Sequence, residues 1–125
     1  MDIEKVTNGG KNFISALKNM LNRRLNTPIK KYPIIIFPDD IVLDNCGLNK
    51  LMSLVSNYCI DHFLQGDAKI KNKCYSEKSI TVLFHNIQFD SLLEICNKFK
   101  VVLGINNFLL YNPQNDSFYL ASEKK

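Results

Sequence analysis

Tryptophan is absent from this chain, glycine occurs only five times in 125 residues, and no acidic residue stands between Glu4 and Asp39. Each absence excludes something. With so few glycines there is no G-x-x-x-x-G-K-S/T and no G-x-G-x-x-G loop, so the usual way of bringing backbone amides up to a phosphate is missing. No apolar run approaches the roughly 18 to 20 residues that span a bilayer. The start, Met1-Asp-Ile-Glu-Lys5, is acidic and polar, which argues against a secretory leader. Cys46, Cys59, Cys74 and Cys96 form no C-x-x-C pair, and a disulfide framework or zinc ribbon would space them differently. The simpler expectation is reduced thiols in an intracellular protein, with no metal and no cofactor.

What is present is the composition of one globular domain: 46% hydrophobic and 22% charged residues. A chain of this length buries roughly two thirds of its unfolded surface, enough for one core. Charge is distributed unevenly. Residues 1 to 38 carry seven basic and two acidic residues, a net +5; residues 39 to 125 carry nine and ten, a net −1. That asymmetry can steer an anionic partner, and the plain alternative is a solvated helix face.

Phe13, Ile14, Leu17, Met20, Leu21 and Leu25 recur at helical spacing and predict an amphipathic helix over residues 11 to 25, ended by Pro28. Residues 1 to 10 are expected to be flexible, 11 to 122 to form a single domain, and 123 to 125 a tail. Tyr32-Pro-Ile-Ile-Ile-Phe-Pro38 reads as a short strand buried on both faces, as in a parallel sheet. A second helix is expected from Asp44 or Asn45 to Gly66, on the spacing of Leu48, Leu51, Met52, Val55, Tyr58, Cys59 and Phe63. Residues 67 to 78 read as a lysine-rich loop and Ile80-Thr-Val-Leu-Phe84 as a second buried strand. Ser91-Leu-Leu-Glu94 matches a capping box opening a third helix, and Val101-Val-Leu-Gly-Ile105 reads as a third strand. Phe108-Leu-Leu-Tyr111 and Ser117-Phe-Tyr-Leu-Ala121 flank the turn Asn112-Pro-Gln-Asn-Asp116 and predict a hairpin. The expected fold is therefore three-layer α/β: a mostly parallel βαβαβ sheet with an N-terminal amphipathic helix and a C-terminal β-hairpin.

In a parallel sheet, ligands gather at the carboxyl ends of the strands. Those ends would carry Asp39, Asp40, His85, Asn86, Asn106 and Asn107. Adjacent aspartates there can hold Mg²⁺ for phosphoryl transfer or hydrolysis, although no third ligand is evident and turn formation explains them as well. Cys59 and His62, three apart on a helix, share a face, but as metal ligands they would need two more from elsewhere, such as Cys96 or His85. The five tyrosines are scattered, without the spacing of a base-stacking platform. The set to which the charge points is Lys18, Arg23, Arg24, Lys30 and Lys31.

Pro33-Ile-Ile-Ile-Phe-Pro38, followed after nine residues by Leu48-Asn49 and an apolar helix, resembles the start of the C-terminal domain of the parafibromin family. The likeness covers roughly residues 28 to 55. It implies a Ras-like fold without a nucleotide site and a nuclear role in an elongation complex of RNA polymerase II, binding phosphorylated or acidic tails. The family domain's tryptophans are absent here.

Four functions follow as expectations. The first is a non-enzymatic protein-interaction module for an acidic or phosphorylated protein, nuclear if the resemblance holds and otherwise cytoplasmic. The others are a bacterial or viral adaptor or immunity protein neutralising one partner, a Mg²⁺ enzyme using Asp39 and Asp40, and a nucleic-acid binder using the basic set.

Overall fold

The computed structural model describes residues 1–7, 10–25, 29, 32–38, 40–41, 43–56, 59–63, 69–70, 73–74, 79–84 and 87–123. Its elements run β1 (Asp2–Lys5), α1 (Gly10–Leu25), β2 (Ile34–Ile36), α2 (Asn45–Val55), β3 (Cys59–Phe63), β4 (Lys69–Ile70), β5 (Lys73–Cys74), β6 (Ile80–Phe84), α3 (Phe89–Leu103), β7 (Asn107–Asn112) and β8 (Ser117–Ser122). Six strands make one sheet in the order β1-β8-β7-β2-β6-β3, and β4 with β5 makes a separate two-stranded ribbon. Every pairing in both sheets is antiparallel.

This overturns the mostly parallel core. Ile34 and Ile36 face the core that contains Leu17, Met20 and Leu21 of α1, while Ile35 and Phe37 face the core that contains α2 and α3. Burial on both faces is what the isoleucine run reports, and helices on both faces of an antiparallel sheet satisfy it as fully as a parallel sheet does. The connectivity β2-α2-β3 leaves room for β6, and β6-α3-β7 leaves room for β2. These two interleaved β-α-β units form a split β-α-β, or ferredoxin-like, arrangement, extended by β8 and β1 on the β7 side.

Four element predictions fail for local reasons. Residues 2 to 5, expected to be flexible, pair with β8 despite being exposed along their length. The second helix stops at Val55, and the stretch from Cys59 becomes β3. The loop at 67 to 78 contains the β4–β5 ribbon. The strand expected at 101 to 105 is instead the last turn of α3, which runs to Leu103 and closes on Gly104. Gly104 has φ 72°, and its amide bonds the Lys100 carbonyl at 2.9 Å. A left-handed residue there ends a helix, and glycine enters that region without the Cβ penalty. The α3 N-cap is Gln88, not Ser91, with no side-chain capping bond. Asp44 does cap α2, its Oδ1 accepting from Gly47 N at 2.7 Å.

Thr81, the second residue of β6, is fully buried, and its Oγ1 has no hydrogen-bond partner among the described residues. A buried hydroxyl without a partner costs about 1 to 3 kcal/mol. Thr81→Val keeps the branched shape and removes that cost. We expect it to raise the urea midpoint by the equivalent of about 1 kcal/mol. A lower midpoint would show that the hydroxyl is bonded in solution.

Candidate functional site

The antiparallel sheet disperses the cleft that a parallel one would build. Because β2 and β6 run in opposite directions, with Ile34 beside Leu83 and Ile36 beside Thr81, β2 ends where β6 begins. Asp40, an exposed turn residue, follows β2. Asn106 precedes β7, which pairs antiparallel with β2, so it belongs to that same end of the sheet. There it is exposed, and its carbonyl accepts from Glu123 N at 3.2 Å. The last residue of β6, Phe84, lies at the other end, its amide bonded to the Pro33 carbonyl at 3.0 Å. Asp39, His85 and Asn86 lie outside the described residues. Cys59 and His62 belong to β3, so the helical spacing that paired them does not exist. Among the described residues, no group of three or more His, Cys, Asp or Glu side chains could hold a metal ion.

The basic set fares differently from residue to residue. Lys18 is committed internally: its Nζ donates to Asp116 Oδ2 at 2.5 Å. Arg23 is exposed on α1. Arg24 lies in α1, while Lys30 and Lys31 lie outside the described residues. Asp116 is the feature that sequence reasoning passed over as mere turn chemistry. It has φ 55°, a conformation that Asp and Asn adopt more readily than most residues. Its second oxygen accepts from the buried Tyr111 hydroxyl at 2.5 Å. One carboxylate thus ties α1 to the β7–β8 turn and satisfies the one polar atom of a core tyrosine.

A second feature lies on the opposite face of the sheet. An open groove of about 560 Å³ runs between α2 and α3, lined by Cys46, Asn49, Lys50, Ser53, Leu54 and Val102. Val102 is 41% exposed and its neighbour Val101 82% exposed. Lys98, one turn before Val102 on α3, is also exposed. Sequence reasoning missed this surface because it assigned the two valines to a strand. The available clue was that Leu92, Cys96 and Phe99 set a helical phase in which Val101 points outward.

No family model, no curated protein and no solved structure matches this chain. The parafibromin-like stretch contains β2, the centre of an antiparallel sheet, which conflicts with the Ras-like fold that the likeness implies. No helix among the described residues is long and apolar enough to cross a membrane.

The two buried acids give a pH signature. Burial pushes the Cys96 thiol up from 9.0 to about 12. Burial first, and then the bond and negative charge of Asp116, push the Tyr111 hydroxyl well above 10.0. Unfolded chains release these protons near 9.0 and 10.0, whereas the native state holds them longer. Above about pH 9 the unfolded state binds fewer protons, so stability falls as pH rises. Urea midpoints taken from neutral to alkaline pH should be flat, then decline by at most about 1.4 kcal/mol per pH unit for each group. Tyr111→Phe should flatten the upper part of that decline and cost about 1 kcal/mol at neutral pH.

Proposed function

We propose that this domain is a non-enzymatic protein-interaction module whose partner lays an acidic segment with an apolar side chain into the groove between α2 and α3. The observation that carries this reading is an exposed valine pair at the end of α3: Val102 lines the groove and is 41% exposed, and its neighbour outside the groove lining is Val101. Val101 is 82% exposed on a helix position where the amphipathic pattern calls for a polar residue. Valine is also a weaker helix former than the lysine or glutamate that would serve solubility. A position that breaks the local rules without a stability gain is where function is expected to reside. In the groove itself, Val102 and Leu54 offer apolar surface beside Lys50, and Lys98 is exposed one turn before Val102. An acidic segment is therefore the complementary ligand.

The basic set of α1 does not contribute to this surface. Leu17, Met20 and Leu21 seat α1 on the other face of the sheet, and Lys18 is bonded to Asp116.

The test titrates labelled protein with a glutamate–leucine peptide, its phosphoserine version and a lysine–leucine control. Chemical-shift changes should centre on Lys50, Lys98, Val101 and Val102, and only for the acidic peptides. Val101→Glu with Lys50→Glu should weaken binding by about tenfold, since each change removes on the order of 1 kcal/mol of contact or charge attraction. Both sites are exposed, so unfolding free energy should stay within about 0.5 kcal/mol per substitution. Equal response to acidic and basic peptides would sink the proposal.

A further inference from the structure

β1 is an edge strand, and its hydrogen-bonding geometry limits what can pair with it. Its register against β8 sets Asp2 opposite Ser122, Ile3 opposite Ala121, Glu4 opposite Leu120 and Lys5 opposite Tyr119. The next residue, Val6, donates its amide to the Phe118 carbonyl at 2.9 Å. In an antiparallel ladder, bonded and non-bonded pairs alternate. Val6, Glu4 and Asp2 therefore direct their backbone groups at β8, while Ile3 and Lys5 direct theirs away from it. Among the described residues β8 is the only neighbour of β1, so the outward amides and carbonyls of Ile3 and Lys5 form a short open ladder.

A second copy of this chain is a poor occupant. A two-fold pairing of β1 with itself is antiparallel, and outward residues must meet outward residues. If Ile3 meets Ile3, Asp2 falls opposite Glu4 twice. If Ile3 meets Lys5, Glu4 falls opposite Glu4. If Lys5 meets Lys5, two like cations face each other. Every register places like charges directly across the strands, which is destabilising. Natural edges also exclude strands with a bulge or a proline, and β1 has neither: its four pairs with β8 are consecutive. Its charges select among partners without closing the ladder.

We propose that the open edge of β1 receives an extended strand from a different protein, with basic residues opposite Asp2 and Glu4. Both acids are exposed, and with Val6 they share the α1 side of the sheet. Ile3, 40% exposed, lies on the other side, where an apolar residue of the incoming strand would cover it. Lys5 on that same side calls for an acid. Antiparallel to β1, the complementary strand therefore reads acidic, basic, apolar, basic. Main-chain bonds supply affinity and the alternating side chains supply choice, as in other cases of strand addition to a sheet edge. This surface is separate from the α2–α3 groove.

The experiment uses the full chain, isotopically labelled, and two synthetic peptides. One has the core glutamate, lysine, valine, lysine; in the other every charge is reversed. The matched peptide should shift the Ile3 and Lys5 amides and slow their hydrogen exchange, and the reversed peptide should not. Lys5→Pro removes one outward donor without touching the bonds to β8, and should weaken binding by about tenfold. Asp2→Lys with Glu4→Lys, confined to exposed side chains, should invert the preference between the peptides. Val101→Glu with Lys50→Glu should leave this binding unchanged, which separates it from the groove. Equal binding of both peptides, or shifts confined to other amides, would overturn the proposal. So would a concentration-dependent dimer that protects the Ile3 and Lys5 amides.

Discussion

Three isoleucines between two prolines hold the sheet's central position. Ile34, Ile35 and Ile36 are all essentially inaccessible, and each successive side chain enters a different core. Burying one such side chain stabilises by about 1.5 to 3 kcal/mol, and β2 does so on both faces within a single turn-to-turn span. The strand also pairs on both edges, with β6 and with β7. Both crossing units share it: one starts from it, and the other straddles it. The α1 layer and the α2–α3 layer are thus joined through three residues. The ring cluster around Phe37, in edge-on contact with Phe99 at 5.2 Å and Phe108 at 5.4 Å, extends that anchoring into α3 and β7.

Much of this was legible residue by residue, and little of it pair by pair. Hydropathy marks the helix over residues 11 to 25, the isoleucine strand, Ile80 to Phe84 and the closing hairpin, and elements stand at each. What hydropathy cannot encode is direction. A strand buried on both faces has the same sequence whether its neighbours run with it or against it, and the parallel reading followed from counting alternation alone. The failures at 59 to 63 and 101 to 105 share a cause. Cys59 to Phe63 continues the apolar spacing of the helix before it, yet forms an edge strand. Val101 and Val102 carry β-branched side chains, yet finish a helix closed by a left-handed glycine. In the first, pairing with β6, and in the second, the helix seated through Leu92, Cys96 and Phe99, outweighs a local preference worth only a fraction of a kcal/mol per residue.

The candidate surfaces were less legible than the fold, because each depends on a relation between distant residues. The lysine that begins the basic set is neutralised by an aspartate 98 positions later. Asp40, after β2, and Phe84, the last residue of β6, stand at opposite ends of the sheet because those two strands are antiparallel. The groove appears only when Lys50 and Val102, on different helices, are brought to one side of the sheet. A sequence lists such residues without their adjacency, so composition indicated a partner of a given charge but not the surface that meets it.

Asp2 pairs with Ser122, so the first strand is added to the sheet by closing a loop of nearly the whole chain. Closure entropy grows only slowly with loop length, but it is opposed here by four exposed residues with almost no apolar burial to offset it. β1 should therefore be the last element to dock and the first to leave, opening at a small fraction of the global unfolding free energy. During such openings β8, with its buried Phe118, Leu120 and Ala121, becomes the sheet's edge. The domain thus carries a transiently available template more apolar than its resting edge, and the charged first strand is what keeps that template covered.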